Sequence, residues 1–196
     1  MRKGRMPVDE RVYQLKITLK HIRPPIWRRL QVRGDITLAQ LHRFLQVAMG
    51  WSDSHLHLFR IAKTEYSQPD PEDPFWGRSA VDEGSVALAE VAPSEGSRFL
   101  YLYDFGDDWE HDIRVEQILV RQAGQVYPVC VEGRRACPPE DCGGSPGYGR
   151  LLKVLRNPRH PEHVSLLEWV GGSFDPEAFD LEGVNRRLRF PELHSG

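Results

Sequence analysis

The chain has 196 residues, of which 40% are hydrophobic and 28% charged, and its formal net charge is −2. These proportions fit one globular domain, or one domain with an appendage, and exclude wholesale disorder. No apolar run approaches the ~18–20 residues that a membrane-spanning helix needs.

The basic opening, Met1-Arg2-Lys3-Gly4-Arg5, is not followed by an apolar stretch, so no signal peptide is expected. Three cysteines without an export signal point to a reducing cytoplasm rather than a disulfide framework. Residues 1–10 read as a flexible N-terminus and residues 11–190 as a single domain. Charge is unevenly spread: residues 1–66 balance at +8, residues 67–117 at −10, and residues 118–196 at zero. The basic third could attract an anionic partner such as nucleic acid, or the two stretches could neutralise each other within one fold.

Residues 11–20 alternate apolar and polar, which predicts a half-buried strand with Tyr13, Leu15, Ile17 and Leu19 on one face and Val12 as a misfit. Pro24-Pro25 breaks the chain, and residues 26–32 predict a second strand. Thr37-Leu38-Ala39-Gln40 is a capping box: the Thr37 hydroxyl can accept from the Gln40 amide while the Gln40 side chain reaches back. Leu38, Leu41, Leu45 and Ala48 continue at helical spacing, and Gly50 supplies a left-handed end. A strand over residues 55–61 follows. Residues 66–78, with Pro69, Pro71 and Pro74 among acidic residues, read as a surface loop. A short helix is expected over residues 85–91, then strands over 98–105 and 109–119 joined by the turn Gly106-Asp107-Asp108. Residues 127–149 are rich in Cys, Pro and Gly and carry no predicted element. Three helices are expected at the C-terminal end. Ser145 caps the first, with Pro146 at its first position. The second covers residues 161–170, and Asp175-Pro176 opens the third with Phe174 and Phe179 as its staple. Together these predict an α+β fold, a mainly antiparallel sheet packed on helices, with a roll or β-grasp-like strand–strand–helix–strand core.

Three clusters could carry chemistry. His55 and His57 are two apart on a predicted strand, so both would point to one face and could ligate one metal, or simply lie half-buried on the sheet. Asp104, Asp107, Asp108 and His111 surround one hairpin tip; carboxylates with imidazole suit zinc or another divalent metal such as Mg²⁺ or Mn²⁺. The candidate metal set is therefore His55, His57, Asp104, Asp107 and His111. Cys130, Cys137 and Cys142 form a candidate structural zinc site, in which only the last two have ligand-pair spacing. The glycine-rich run 143–149 is not a P-loop, since the closing Gly-Lys-Ser/Thr is missing.

Five stretches in order resemble the plasmid pRiA4b Orf-3-like family. They are Pro24-Pro25-Ile26-Trp27-Arg28-Arg29; Met49-Gly50-Trp51 with His55-Leu56-His57; Tyr103-Asp104-Phe105-Gly106-Asp107-Asp108-Trp109 with His111; Ala136-Cys137-Pro138-Pro139-Glu140-Asp141-Cys142-Gly143-Gly144; and Phe174-Asp175-Pro176-Glu177 with Asn185. The resemblance implies a bacterial or archaeal protein carried on plasmids or as a passenger of insertion sequences, some relatives bearing a resolvase-type label. The residues do not support that label: the first serine is Ser52 and the last tyrosine Tyr148, neither in an arginine-rich catalytic setting.

The leading expectation is a non-enzymatic accessory or binding protein of mobile elements, with nucleic acid or a protein as partner and no membrane association. Its expected contact face is Arg23, Arg28, Arg29, Arg33 and Arg43. The alternative is a metal-dependent, nuclease-like hydrolase using the His/Asp cluster.

Overall fold

The structure is a computed structural model that describes residues 7–69 and 80–189. Its elements are β1 (Arg11–Leu19), β2 (Trp27–Arg33), α1 (Leu38–Met49), β3 (His57–Ile61), β4 (Thr64–Ser67), β5 (Val81–Asp82), α2 (Leu88–Val91), β6 (Arg98–Tyr103), β7 (Trp109–Val120), β8 (Val129–Arg134), α3 (Gly144–Leu155), α4 (His163–Trp169) and α5 (Leu181–Leu188). The fold is α+β. All eight strands join one sheet in the order β5-β4-β3-β6-β7-β1-β2-β8, antiparallel except for the short β4–β5 pair.

The alternation in β1 buries Tyr13, Leu15, Ile17 and Leu19. Val12 is buried as well, so both faces of the strand are covered at that point. β1 pairs with β2 on one side and β7 on the other. On the β7 side the register slips between Gln14 and Leu15, leaving Glu116 as an extra residue between Val115 and Gln117. Helix α1 starts on the capping box and ends at Gly50 with φ 91°. Its apolar face joins Tyr13, Leu15, Phe59, Tyr101 and Ile113 in one core. Each large side chain so buried contributes about 1.5–3 kcal/mol. The strand β3 is separated from β1 by β6 and β7, so residues distant in sequence close the sheet beside α1.

Several boundaries differ from expectation. Strand β3 begins at His57, which leaves His55 in the preceding loop. Tyr66 and Ser67 belong to β4 rather than to a loop; Pro71 and Pro74 lie outside the described residues. The helix expected over 85–91 is a 3₁₀ turn, Glu83–Ser85, followed by the single turn of α2. Another 3₁₀ turn, Val8–Glu10, precedes β1 within the segment read as flexible. Strand β8 forms inside the Cys/Pro/Gly-rich segment by pairing with β2. Helix α3 begins at Gly144 without a side-chain cap, so Ser145 and Pro146 lie within its first turn. The last helix starts at Leu181, where the Asp180 carboxylate accepts from the Gly183 amide at 2.8 Å. The expected staple does not form. Phe179 instead lies under the Arg28 guanidinium, 4.1 Å from its ring centre, and Phe174 meets Tyr148 edge to face.

Candidate functional site

Three loops converge at one end of the sheet: the α1–β3 loop, the β6–β7 hairpin tip and the β8–α3 loop. Short polar contacts pin them together. Trp51 Nε1 donates to the Pro138 carbonyl at 3.0 Å. Glu140 accepts from the Ser52 amide at 3.1 Å and from the Tyr103 hydroxyl. Asp107 Oδ2 accepts from the Gly143 amide at 3.1 Å. A side chain at Gly144 would put its Cβ 2.4 Å from the Asp107 carbonyl oxygen, so this glycine is what lets the hairpin tip seat on the start of α3.

The seated loops bring His55, Asp104 and Asp141 together, with one donor atom from each lying within 4.8 Å of the others. His55 Nε2 is 3.2 Å from Asp141 Oδ1 and 3.8 Å from Asp104 Oδ2. Asp104 spends its other oxygen, Oδ1, on the amides of Gly106 and Asp107 at 2.9 and 3.3 Å. That bond fixes the carboxylate and leaves Oδ2 aimed at His55. His55 Nε2 is buried without a hydrogen-bond partner, an arrangement that costs free energy unless something else occupies the lone pair or proton. Asp104 and Asp141 both sit at φ 58°, in the left-handed region that aspartate tolerates better than most residues.

A second group lies beside the first. His42 and Asp53 are joined at 2.7 Å, and the His42 ring stacks on His57 with centroids 3.4 Å apart and planes 2° apart. His57 Nε2 lies 3.1 and 3.0 Å from the two oxygens of Glu83, and only 7% and 4% of these two side chains are exposed. The protons in this network can be assigned. Gln46 uses its carbonyl to accept from the Asp53 amide, so its amide group donates to the Tyr101 hydroxyl. Tyr101 then donates to His42 Nδ1, and His42 Nε2–H donates to Asp53. The charges agree: burial holds His42 below its ordinary value and Tyr101 well above its own, so both stay neutral. Burial alone would raise the Asp53 carboxyl, but the bond from His42 holds it below its ordinary value. In this second group the donors are satisfied by one another. In the first group they are not.

The residues expected from sequence are therefore divided. His55 and Asp104 meet in the first group, and His57 faces Glu83 and His42 in the second. Asp107 is spent on the Gly143 amide. His111 is fully buried between the Trp51 and Tyr101 rings, where burial pushes it down to about 4. His57 on β3 and His111 on β7 flank β6, either side of Tyr101, but among the described residues no shared donor group results. Asp141, His42, Asp53 and Glu83 were not anticipated. His42 had a signal: it continues the buried helical face of Leu38, Leu41 and Leu45, where a polar residue needs a partner.

The three cysteines are free, and among the described residues no donor group of three includes any of them. Burial raises all three thiols, Cys142 up to about 12, so they remain protonated. The arginines do not form one face. Arg28 is 2% exposed and donates to the carbonyls of Ala48, Trp27 and Arg134. Arg29 pairs with Glu116 and Glu132, and Arg33 with Asp35. Among the described residues, neither Arg23 nor Arg43 forms an ion pair with a carboxylate.

Comparison with known proteins places this geometry among relatives. A model of the family described as plasmid pRiA4b ORF-3-like protein matches residues 11–183. The uncharacterized protein y4hQ of Sinorhizobium fredii is 40% identical over 179 residues, 90% of each chain. The crystal structure of MM3350 from Methanosarcina mazei, a protein of unknown function, superposes with a TM-score of 0.81 at 39% identity. That match covers 89% of this chain and 96% of MM3350.

Proposed function

We propose that this chain, a member of the plasmid pRiA4b ORF-3-like family, is a metal-dependent hydrolase whose metal would sit between His55, Asp104 and Asp141. One observation carries the reading: three donor atoms from three separate loops lie within 4.8 Å of one another, and none is spent on a hydrogen bond elsewhere. A bound divalent ion needs nitrogen and oxygen donors at about 2.0–2.2 Å, so the 3.2 and 3.8 Å separations need little adjustment. Asp141, with 72% of its side chain exposed, is free to supply it. One imidazole with two carboxylates suits Zn²⁺ or Mn²⁺. Three protein ligands leave positions for water and substrate, the arrangement of catalytic rather than structural sites. A cleft of about 270 Å³ lined by Asp53, Ser54, His55, Leu56, His57 and Gln68 opens next to His55.

An accessory role in mobile elements, through nucleic acid or a protein partner, has less behind it. Arg28 is inside the protein and Arg29 and Arg33 are neutralised by carboxylates, which leaves Arg23 and Arg43 of the five.

Calorimetric titration of metal-free protein with Zn²⁺ and Mn²⁺ tests the reading. One site per chain is expected, and His55→Ala and Asp104→Asn should each lower affinity at least tenfold while melting stays within a few degrees. Binding by both variants at the wild-type affinity would sink it.

A further inference from the structure

One face of the sheet is buried with α1, α3 and α5 in the core, and the other is turned away from them. On the outward face the strand registers set like charges side by side. Arg98 of β6 stands opposite Arg114 of β7, and Arg114 stands opposite Lys16 of β1. Directly opposite residues share a face, with Cβ atoms about 4.5–5.5 Å apart, and like charges so placed destabilise a sheet. Phe99, Ile113, Val115, Leu15 and Ile17 alternate with them and are buried, which puts all three cations outside. Arg98 and Arg114 are exposed; Lys16 is half-buried, its amine 5.1 Å from the centre of the Trp27 ring. The row continues to Arg29 on β2, but that guanidinium is neutralised by Glu116 and Glu132. Lys20 with Glu110 and Arg60 with Glu65 are likewise matched. Among the described residues, Lys16, Arg98 and Arg114 form no ion pair. A cleft of about 530 Å³ adjoins the row. It shares Arg98 with it and adds the equally unpaired Arg23, and Asp112 is the one carboxylate among its lining residues.

We propose that this outward face binds single-stranded nucleic acid, with Lys16, Arg98 and Arg114 on its phosphates and the adjoining cleft holding one nucleotide. An anion laid on the row relieves the repulsion that the register builds in. Adjacent strands are about 4.8 Å apart, so the three cations span roughly 10 Å. A chain of phosphates covers that width better than a single small anion. The cleft joins Arg23 and Arg98 to apolar walls from Ile22, Pro25 and Leu100, a pairing that suits phosphate and a flat base together and that an acidic peptide does not need. Among the described residues no helix or ribbon rises from this face to enter the groove of a duplex, whereas a flexible single strand can lie across an open sheet. Arg23 apart, the set differs from the arginines expected from sequence. It contains no donor of the proposed metal centre, so the two proposals stand or fall separately.

The test is fluorescence anisotropy of the full-length protein with a labelled single strand of about twelve nucleotides, as DNA and as RNA, at several salt concentrations. A duplex of the same length and an oligoglutamate serve as comparisons. Saturable binding at low salt is expected, tighter for a single strand than for either comparison. Log affinity should fall with log salt at a slope of about −2, from three phosphates at roughly 0.7 each. Arg98→Ala and Arg114→Ala should each weaken binding at least threefold and flatten the slope by about 0.7. Arg114→Ala should also hold or raise the melting temperature, because it removes a like-charge contact. The double variant Arg98→Glu with Arg114→Glu should lose at least tenfold, while Arg159→Glu, an exposed site between α3 and α4, should stay within twofold of wild type. Absence of saturable binding at low salt would overturn the proposal. So would unchanged binding by the double variant, an equal loss in Arg159→Glu, or a duplex or oligoglutamate bound as tightly as the single strand.

Discussion

His55 and His57 are separated by a single leucine yet serve different carboxylates. His55 Nε2 lies 3.2 Å from Asp141, and His57 Nε2 lies 3.0 Å from Glu83. The division follows from the start of β3. His57 is the first strand residue and faces the core beside Tyr101, while His55 is still in the loop that meets the hairpin tip. Two imidazoles at this spacing on a continuous strand would have shared a face.

The seating of the hairpin on α3 should control the metal centre. Gly144→Ala would bring Cβ to 2.4 Å from the Asp107 carbonyl oxygen, at a position whose φ is +64°. Backbone must move to relieve it, at a cost of about 1–3 kcal/mol. Because Asp141 lies three residues away on the same loop, Zn²⁺ affinity should fall at least tenfold alongside the melting temperature. A variant with lowered stability and unchanged metal affinity would show that the loop position does not matter to the site.

Arg28 and Arg29 should behave oppositely. Arg28 is buried with three carbonyl acceptors and no carboxylate, and burial lowers its pKa. Arg28→Ala would strand those carbonyls and remove the stack on Phe179, costing about 2–4 kcal/mol in urea unfolding. Arg29 sits in a half-exposed pairing with Glu116 and Glu132, whose bonds raise its pKa. Arg29→Ala should cost about 1 kcal/mol or less. If DNA or RNA binds at low salt, neither change should weaken it beyond what unfolding explains; a folded Arg29→Ala variant with sharply reduced affinity would revive the basic face.

Asn185 closes the open edge of the sheet. Its side chain donates to the Cys130 carbonyl and accepts from the Cys130 amide, both at 2.8 Å, and so replaces a missing strand beside β8. Asn185→Ala leaves both backbone groups unpaired and should destabilise by roughly 2–3 kcal/mol. Truncation after Pro158 removes this contact together with buried Val184 and Leu188, and is expected to give insoluble protein. A cooperatively melting 1–158 fragment would show α4 and α5 to be an appendage.

Acid should destabilise the fold through His111. Its folded pKa is pushed down by burial to about 4 from an ordinary 6.5. Between those values the unfolded chain binds a proton that the folded chain refuses, so stability falls as pH drops from 6.5 towards 4. The full effect is of order 3 kcal/mol. From pH 7 through 5.5 to 4.5 the urea midpoint should fall more steeply for wild type than for His111→Leu. An identical pH dependence in both would remove His111 from the account.

The sequence by itself determined what depends on neighbours along the chain. The alternation of β1, the capping box and Gly50 of α1, and the β6–β7 hairpin all rest on local hydrogen bonds and on a period-matched apolar face, which a few consecutive residues encode. It also brought His55 and Asp104 forward, because imidazole and carboxylate beside glycine and aromatic residues stand out in a short stretch. Only the tertiary structure decided which partners they meet. Strand β8 exists because β2 offers it an edge, α5 starts at Leu181 because Phe179 is drawn onto Arg28, and Asp141 reaches His55 because Gly144 admits the carbonyl of Asp107. Buried groups such as His42, Glu83 and Arg28 take their roles from hydrogen-bond partners dozens of residues away, since desolvation makes each of them find a partner wherever the fold supplies one.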